Sequence, residues 1–325
     1  MIRQKKTYSW GDQRRYNSYS RRIREKYGGR IQKVSVNAGF TCPNRDGSKG
    51  YGGCIYCNNE SFTPSYCVGD HDIFSQIEQG ITFLKRRYKK ISHFVAYFQP
   101  YSNTYASLDV LEKYYQIALG HPGIDGLAIS TRPDCVDEKI LDYLKNLAED
   151  HLIFLEYGIE SCDDTTLVKI NRGHTYEETV QTIYKTAERG LSCTGHIIFG
   201  LPGETKEKML IQAELLSRLP LSALKFHQLQ IIKNTPLADL YLNDPGLFHL
   251  FSLNEYITFI INFLERLNPQ IAVERLSGEA PPRHRITPGW GNIRSDIIQK
   301  KIESAMEKWD TWQGKRLKND NLFLQ

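Results

Sequence analysis

A glycine-rich loop carries three cysteines in the stretch Cys42-Pro-Asn-Arg-Asp-Gly-Ser-Lys-Gly-Tyr-Gly-Gly-Cys54-Ile-Tyr-Cys57. It follows the alternating segment Ile31 to Val36, which is typical of a β-strand. With C-x11-C-x2-C spacing, three thiolates on one loop can each bind one iron of a [4Fe–4S] cluster and leave the fourth iron open. We therefore interpret Cys42, Cys54 and Cys57 as ligands of an iron–sulfur cluster.

Two other interpretations of these cysteines are open. A structural zinc site needs four ligands, and Cys67 or His71 could supply the fourth, but the loop has only one C-x2-C pair. Inert core thiols fit less well, because Asn44, Asp46 and several glycines are typical of an exposed loop.

Strand and helix patterns alternate along most of the chain. Strand segments start near residues 31, 93, 126, 153, 192 and 223, and Ile271 to Leu276 predicts a closing strand. Such repeats predict a parallel α/β sheet. Six units favour a partial, TIM-like (β/α)6 barrel with its working face at the C-terminal ends of the strands. A doubly wound open sheet is the alternative, although no G-x-G-x-x-G follows the first strand.

We divide the chain into a basic aromatic arm (1–29), the barrel (30–270) and a C-terminal extension (271–325) that contains the closing strand, a basic segment and a helix. Seven cysteines, clustered at one place and scattered elsewhere, do not form the paired framework of a small secreted domain. There is no apolar run of membrane-spanning length and no signal-peptide pattern at the N-terminus. We expect a cytoplasmic protein with no membrane partner.

Positive charge is concentrated near the N-terminus. Residues 1–33 hold eleven Lys or Arg against two acidic residues, although the whole chain has a net charge of only +5. The aromatic residues interleaved with these charges are Tyr8, Trp10, Tyr16, Tyr19 and Tyr27. This pattern predicts an arm that binds a polyanion and stacks on bases, with a solvated tail as the alternative. The residues of a second basic region that could join it on an RNA backbone are Arg275, Arg283, His284, Arg285 and Arg294.

The cysteine loop directly after the first strand, with Tyr56 just before the last cysteine, resembles the radical S-adenosylmethionine (SAM) enzymes. Three further stretches, Ala128 to Asp134, Leu155 to Ser161 and Gly195 to Glu204, resemble strand-end motifs of the elongator catalytic subunit, a radical SAM branch that acts on tRNA wobble uridine. The resemblance covers about residues 28–282 and extends to the smaller bacterial group called YhcC/YtqA-type.

The resemblance implies a [4Fe–4S] cluster and SAM as cofactors, a 5′-deoxyadenosyl radical that takes hydrogen from the substrate, and a low-potential electron donor such as flavodoxin or ferredoxin. It also implies tRNA as the partner, and conversion of a 5-carboxymethylaminomethyl side chain on the wobble uridine to 5-aminomethyl. The alternatives are a radical SAM reaction on a small metabolite and a zinc-stabilised RNA-binding module. The catalytic proton donor and acceptor are not identified by the sequence.

Within this resemblance, charged side chains at strand ends are candidates for contacts with SAM. Arg132, after the third strand, would pair with the SAM carboxylate through a bidentate fork, with an ion pair to Asp134 or Asp137 as the alternative. Glu156 and Glu160 lie four residues apart on the fourth strand and are expected to face the same side. Ribose hydroxyls or a substrate amine would satisfy these carboxylates, and an ion pair with an arginine is the alternative.

Neutral candidates complete the predicted SAM site. Gln99 and Asn103 follow the second strand and offer polar acceptors. Gly200 would let the backbone approach the adenine, with an ordinary helix entry as the alternative. Tyr56 would lie against the adenine ring, with a packing aromatic as the alternative. His196 and His227 lie on predicted strands; we expect a satisfied core histidine at each, with a side chain that faces the cavity as the alternative.

Overall fold

The computed structural model describes residues 6–67 and 72–317. The strands are β1 (Ile31–Val36), β2 (His93–Phe98), β3 (Gly126–Thr131), β4 (Leu152–Glu160), β5 (Ser192–Phe199), β6 (Ala223–Gln228), β7 (Ile231–Ile232), β8 (Ala272–Arg275) and β9 (Arg285–Thr287). The first six strands and β8 form one seven-stranded sheet, in the order β1-β2-β3-β4-β5-β6-β8. Every neighbouring pair in it is parallel. The sheet curls into a partial barrel, as the sequence pattern predicted.

Helices surround this sheet, and most of them cover its outer face. They are α1 (Tyr19–Tyr27), α2 (Ile73–Arg87), α3 (Leu108–Leu119), α4 (Glu138–Leu147), α5 (Asp164–Lys169), α6 (Tyr176–Glu188), α7 (Lys206–Ser217), α8 (Pro236–Asn243), α9 (Leu253–Arg266) and α10 (Ser295–Lys308). The main apolar core lies between the sheet and these helices. No helix within the described ranges is long and apolar enough to span a membrane.

Side-chain caps start several of the crossover helices directly after the loops of the working face. Asp137 accepts from Ile140 N–H and Thr205 accepts from Lys208 N–H, at the starts of α4 and α7. Thr175 forms a reciprocal capping box with Glu178 at the start of α6. Each cap satisfies orphan N–H groups of a first helical turn, so the preceding loop ends at a defined residue.

The seventh strand of the sheet comes from the segment predicted as a closing strand. Because β8 begins at Ala272, the sheet extends past the boundary at residue 270 that we inferred for the barrel. The two short strands β7 and β9 form a separate antiparallel ribbon. This ribbon follows β6 and β8 and therefore lies on the working face.

The N-terminal segment is folded against the barrel, which differs from the expected arm. Ile23 of α1 packs with Val95, Ala128 and Phe154, which lie in the N-terminal parts of their strands. Helix α1 therefore covers the barrel end that is opposite to the working face. Residues 1–5 of the predicted arm lie outside the described residues.

The aromatic residues of this segment serve mainly as packing groups. Tyr8 and Tyr16 are buried, with 8% and 2% of their surface exposed. Tyr8 stacks on Trp10 at 5.0 Å between ring centres, and Tyr16 shares a 3.0 Å hydrogen bond with Glu303. The prediction that these two tyrosines stack on bases is therefore wrong, because their rings are already enclosed by the protein.

Candidate metal and cofactor site

The three predicted cluster ligands come together on the working face, beyond the end of β1. Cys42, Cys54 and Cys57 all line one pocket of about 170 Å³, and each is a free thiol. Burial and the neighbouring Cys54 raise the pKa of the Cys57 thiol to about 12. A metal that binds Cys57 must therefore displace a proton.

Backbone hydrogen bonds hold the C-x2-C part of the loop. Ile55 N–H donates to Ile170 O over 3.1 Å, and Leu237 N–H donates to Ile55 O over 2.9 Å. The turn itself is closed by a 3.0 Å bond from Cys57 N–H to Cys54 O. Ile55 also packs on a small apolar cluster that contains Ile170 and Leu237. The last two thiols are thus fixed on a supported turn.

The rest of the cysteine loop interlocks with the segment after α5. Asn44 Nδ2 donates to Arg172 O over 2.9 Å, and Asn171 Nδ2 donates to Gly53 O over 2.8 Å. Gly173 has a φ of +74°, and a Cβ there would lie only 2.5 Å from Asn44 Oδ1. The close approach of the two segments therefore requires glycine at this position.

Four side-chain N–H groups point at the thiols, and one of them is Asn59 Nδ2, which lies 3.7 Å from Cys57 Sγ. Arg172 Nη1 and Asn44 Nδ2 lie 3.5 and 3.7 Å from Cys54 Sγ. Arg132 Nη1 lies 3.7 Å from Cys42 Sγ. Donors to sulfur and nearby positive charge are the means by which proteins stabilise and tune thiolate-bound clusters. The residues present therefore fit a [4Fe–4S] cluster on these three cysteines.

The zinc interpretation has less support. In residues 6–67 and 72–317, no group of three or more Cys, His, Asp or Glu is arranged to hold one metal ion. Cluster ligands each bind a different iron, so a single-ion arrangement is not needed for them. Cys67 does not line the pocket, and its thiol donates to Ser35 O over 3.1 Å. The other proposed fourth ligand, His71, lies outside the described residues.

Arg132 lines the cysteine pocket, but its fork is already bound. Its Nε and Nη2 donate to the two oxygens of Asp134 over 2.9 and 2.8 Å, and both side chains are only 2% exposed. Burial by itself raises the pKa of Asp134, but the bonds from Arg132 and Lys49 outweigh it and lower the pKa to about 2. The alternative of an ion pair with Asp134 is therefore what the structure shows. The fork is not available for a SAM carboxylate.

Arg45 and Arg172 are cations of this pocket that the sequence did not single out, and Arg172 is the buried one of the two. It follows α5, is buried, and donates from Nη2 to Gly158 O. Its Nη2 also lies 3.7 Å from Glu160 Oε1. The Nε atom is buried and has no hydrogen-bond partner, so this side chain retains an unused donor on the pocket. No sequence pattern marks Arg172, which lies in the short segment between α5 and α6.

The remaining predicted SAM contacts divide into two groups. Tyr56, Gln99 and Glu160 line the cysteine pocket. Asn103 does not, because its amide is buried and bonded to three backbone carbonyls, which belong to Phe98, Pro100 and Ser130. Gly200 also lies outside the pocket. A Cβ at Gly200 would lie 2.7 Å from His249 O, so this glycine allows a close approach of backbone to backbone.

Glu156 is the centre of a buried charge network and does not line the pocket. Its carboxylate accepts from Lys33 Nζ, from Lys225 Nζ (2.6 Å), from Tyr97 OH (2.7 Å) and from His196 Nε2 (3.0 Å). Burial raises the pKa of Glu156, but Lys225, Lys33 and His196 outweigh burial and hold it well below its usual value. The prediction that a ligand satisfies Glu156 is wrong, since four protein donors already do so.

A bulge changes the geometry at the end of β4. The register with β5 shifts between Gly158 and Glu160, and Glu160 has a φ of +66°. Simple alternation therefore does not describe the last residues of this strand. The bulge leaves Glu160 on the wall that faces the thiols.

A second cavity of about 440 Å³ adjoins the cysteine pocket inside the barrel. The residues that line both are Tyr56, Asn59, Gln99, Ser130, Glu160 and His196. His227 also lines the larger cavity and stacks on His196 with ring centres 5.6 Å apart. Its Nε2 is buried without a partner, so the expectation of a satisfied core histidine is wrong for His227.

Exposed cations lie at or beside this cavity. Lys233 and Arg283 are exposed on or beside the ribbon formed by β7 and β9, and Arg275 is exposed at the end of β8. Lys233 N–H donates to His284 O over 2.8 Å, which joins the two edges of the ribbon. These cations lie on the working face, whereas the Lys and Arg side chains of α1 lie at the opposite end of the barrel.

Comparisons with known proteins agree with this arrangement. A family model described as the Radical SAM superfamily matches residues 39–216, and a model for a Radical_SAM C-terminal domain matches residues 221–308. YtqA of Bacillus subtilis (strain 168) is 29% identical over 93% of each chain. YhcC of Escherichia coli (strain K12) is 31% identical over 86% of this chain and 88% of its own length.

Two further matches concern archaeal proteins. The structure of Methanocaldococcus infernus Elp3 with an N-terminal deletion has a TM-score of 0.65 at 17% identity, over 87% of this chain and 64% of that chain. This likeness concerns the fold. A tRNA uridine(34) acetyltransferase from M. infernus is 24% identical over 48% of this chain, which corresponds to 29% of its own length.

Proposed function

Because this chain belongs to the radical SAM superfamily and is an enzyme that uses a [4Fe–4S] cluster and SAM, we propose that its substrate is the C5 side chain of the wobble uridine in tRNA. The proposed reaction converts 5-carboxymethylaminomethyluridine to 5-aminomethyluridine. The observation that carries the proposal is the shared wall between the cysteine pocket and the larger polar cavity, which would let a substrate group approach the site of radical formation.

The tRNA part of the proposal has its own support. The partial similarity to a tRNA uridine(34) acetyltransferase favours a tRNA substrate with uridine 34 as the target nucleoside. Arg275 lines the cavity, and Lys233 and Arg283 are exposed on or beside the ribbon of the same face. Cations of this kind bind the phosphate backbone. A wobble base is unpaired in free tRNA, so its side chain can enter a cavity without melting a helix.

The cysteines and their neighbours have defined roles in this proposal. Cys42, Cys54 and Cys57 would hold the cluster, which with SAM supplies the 5′-deoxyadenosyl radical. Arg172 replaces Arg132 as the group that would pair with the SAM carboxylate, since its buried Nε has no partner. Gln99 and Glu160 would accept from the SAM ammonium or ribose, and Tyr56 would pack on the adenine.

The proposed reaction on the side chain has three steps, which are hydrogen abstraction, one-electron oxidation and hydrolysis. A hydrogen atom moves from the carboxymethyl carbon to the radical and gives 5′-deoxyadenosine. Loss of one electron to a flavodoxin- or ferredoxin-type carrier, and of the N–H proton, gives a carbon–nitrogen double bond. Water then cleaves this bond, which yields the primary amine and glyoxylate.

The experiment uses anaerobically reconstituted protein, SAM, a reductant and tRNA that carries 5-carboxymethylaminomethyluridine. Nucleoside mass spectrometry should show 5-aminomethyluridine and an equal amount of 5′-deoxyadenosine. Cys54→Ala should abolish both products, whereas Cys193→Ala, at a buried thiol outside the pocket, should retain them. Formation of 5′-deoxyadenosine with no change in any tRNA nucleoside would contradict the substrate. About one zinc per chain with no iron would contradict the cofactor.

A further inference from the structure

The larger cavity is lined by polar side chains that lie outside the cysteine pocket. Glu274, Arg275 and His227 line this cavity on β8 and β6. None of the three lines the cysteine pocket. They therefore lie outside the set of residues assigned above to the cluster and SAM.

Glu274 has one bonded and one unbonded oxygen. Its Oε1 accepts from Lys33 Nζ over 2.7 Å and lies 3.2 Å from Lys225 Nζ. Its Oε2 is buried and has no hydrogen-bond partner. Burial raises the pKa of Glu274, but Lys225 and Lys33 outweigh burial and lower it. A buried charged oxygen without a donor is costly, so this atom is suited to accept from a ligand N–H.

His227 offers a second unused atom. Its Nε2 is buried without a partner, and burial together with Arg275 holds its pKa well below the usual value. The neutral ring carries one donor and one acceptor. Gly278 lies close to the ring, because a Cβ on this glycine would lie 2.9 Å from Nδ1. Gly278 is itself fixed by two reciprocal 2.9 Å hydrogen bonds with the Gln228 side chain.

Arg275 supplies the positive charge of this group. It is exposed on the cavity wall and forms no ion pair with any carboxylate of the described residues. Glu160, Glu274 and Glu279 line the same cavity. Lys33 and Lys225 also line it, but both are paired with Glu156 and Glu274. A purely anionic ligand such as phosphate would pair with Arg275 and leave the unbonded carboxylate oxygen of Glu274 without a donor, and a simple amine would leave Arg275 unused. The pattern is complementary to a group with an amine and a carboxylate close together.

We propose that Glu274, Arg275 and His227 form a subsite for an N-substituted glycine group, in which Glu274 Oε2 accepts from the amine and Arg275 and His227 bind the carboxylate. This inference rests on the proposed function, because the carboxymethylaminomethyl side chain is such a group. It adds which side chains recognise the two ends of that group. With both ends bound in this way, the methylene that joins the amine to the carboxylate would lie in the cavity that adjoins the cysteine pocket.

The test measures binding of two nucleosides to the reconstituted holoenzyme by calorimetry. The first is 5-carboxymethylaminomethyluridine, and the second is 5-aminomethyluridine, which keeps the amine and lacks the carboxylate. Arg275→Gln should weaken binding of the first nucleoside at least tenfold and leave binding of the second unchanged. Glu274→Gln should weaken both at least tenfold. The matched controls Arg218→Gln and Glu214→Gln, at exposed positions outside the cavity, should bind like the unmodified protein.

The subsite and the proposed function can fail separately. If the holoenzyme converts tRNA but the two nucleosides bind equally well to all variants, the subsite is overturned and the function stands. If no tRNA is converted but the first nucleoside binds and responds to both substitutions as described, the subsite stands and the function falls. Absence of any binding of the first nucleoside to the holoenzyme also overturns the subsite. Glu274→Gln also removes a charge that pairs with Lys33 and Lys225. If the Glu274→Gln variant does not fold, the binding result for Arg275→Gln alone decides whether the subsite stands.

Discussion

Lys33 Nζ lies 2.7 Å from Glu274 Oε1, so an ion pair joins β1 to β8, the two strands at opposite ends of the seven-stranded sheet. Lys225 and Glu156 complete the group, and both are nearly or fully buried. Because β1 and β8 are not neighbours in the sheet, side chains inside the barrel provide this link across its open side.

Replacing Lys33 with methionine should destabilise the protein. The change removes one cation from Glu156 and Glu274 and leaves Lys225 to balance two carboxylates. We expect a loss of about 3 kcal/mol, as is typical when one partner of a buried ion pair is removed. Urea denaturation measures it.

The control for this change is Lys185→Met. Lys185 pairs with Glu138 at 2.8 Å, but both side chains are about half exposed, at 50% and 52%. An exposed pair of this kind contributes at most about 1 kcal/mol. Equal losses in the two variants would show that burial of the Lys33 network has no energetic role.

Glu204 should make stability fall as the pH rises. Its carboxyl is 4% exposed, accepts from Ser161 and Gln212, and has one oxygen without a partner. Burial raises its pKa to about 7, compared with about 4.3 in an unfolded chain. Between these values the folded state keeps a proton that the unfolded state has lost, so the stabilisation is complete below about pH 4 and is lost by about pH 7.

Glu204→Gln removes this dependence. We expect the variant to gain on the order of 3 kcal/mol relative to the unmodified protein between pH 4 and pH 7. Denaturation curves at several pH values measure the slope. Glu207→Gln, at an exposed position in the first turn of α7, should keep the slope of the unmodified protein. A parallel slope for Glu204→Gln would contradict the prediction.

Arg172 should influence the reduction potential of the cluster. Its guanidinium lies 3.5 Å from Cys54 Sγ and is buried. A nearby positive charge favours the reduced cluster, so Arg172→Gln should shift the potential to more negative values by on the order of tens of millivolts. A redox titration followed by electron paramagnetic resonance measures this, with iron content as a check on loading. Lys169→Gln, nearby and exposed, should leave the potential unchanged, and the same result for Arg172→Gln would argue against the contact.

Binding of tRNA should depend on the cations of the working face. The double variant Lys233→Gln/Arg283→Gln should weaken binding and reduce the salt dependence of log K by about 2, or about 1 for each lost phosphate contact. Arg24→Gln/Lys26→Gln removes the same charge from α1, at the opposite end of the barrel, and should leave both quantities unchanged. Filter binding over a range of salt concentrations separates the two surfaces. The reverse result would assign the RNA to the N-terminal segment.

Much of the fold could be predicted from the chain alone because its signals are local. The strand segments alternate, each is followed by helix periodicity, and the cysteine loop directly follows the first strand. Tyr56 could be placed on the pocket because it lies within the cysteine loop, and Gln99 and Glu160 because they lie at or next to strand ends. Asn103 and Gly200 also lie there, but a strand-end position does not reveal that the Asn103 amide is bonded to three carbonyls or that Gly200 meets His249.

The sequence by itself determined the order of strands and helices, the three candidate thiolates and the excess of positive charge near the N-terminus. Only the tertiary structure decided which charges meet. Lys33, Glu156, Lys225 and Glu274 are separated by up to 241 residues along the chain, and closure of the barrel brings them into one network. It also decided that Asp134 takes the fork of Arg132, that Arg172 keeps a free donor, and that α1 covers the far end of the barrel. The physical reason is that periodicity shows which face a side chain occupies, whereas its partner is selected by the packing of residues distant in sequence.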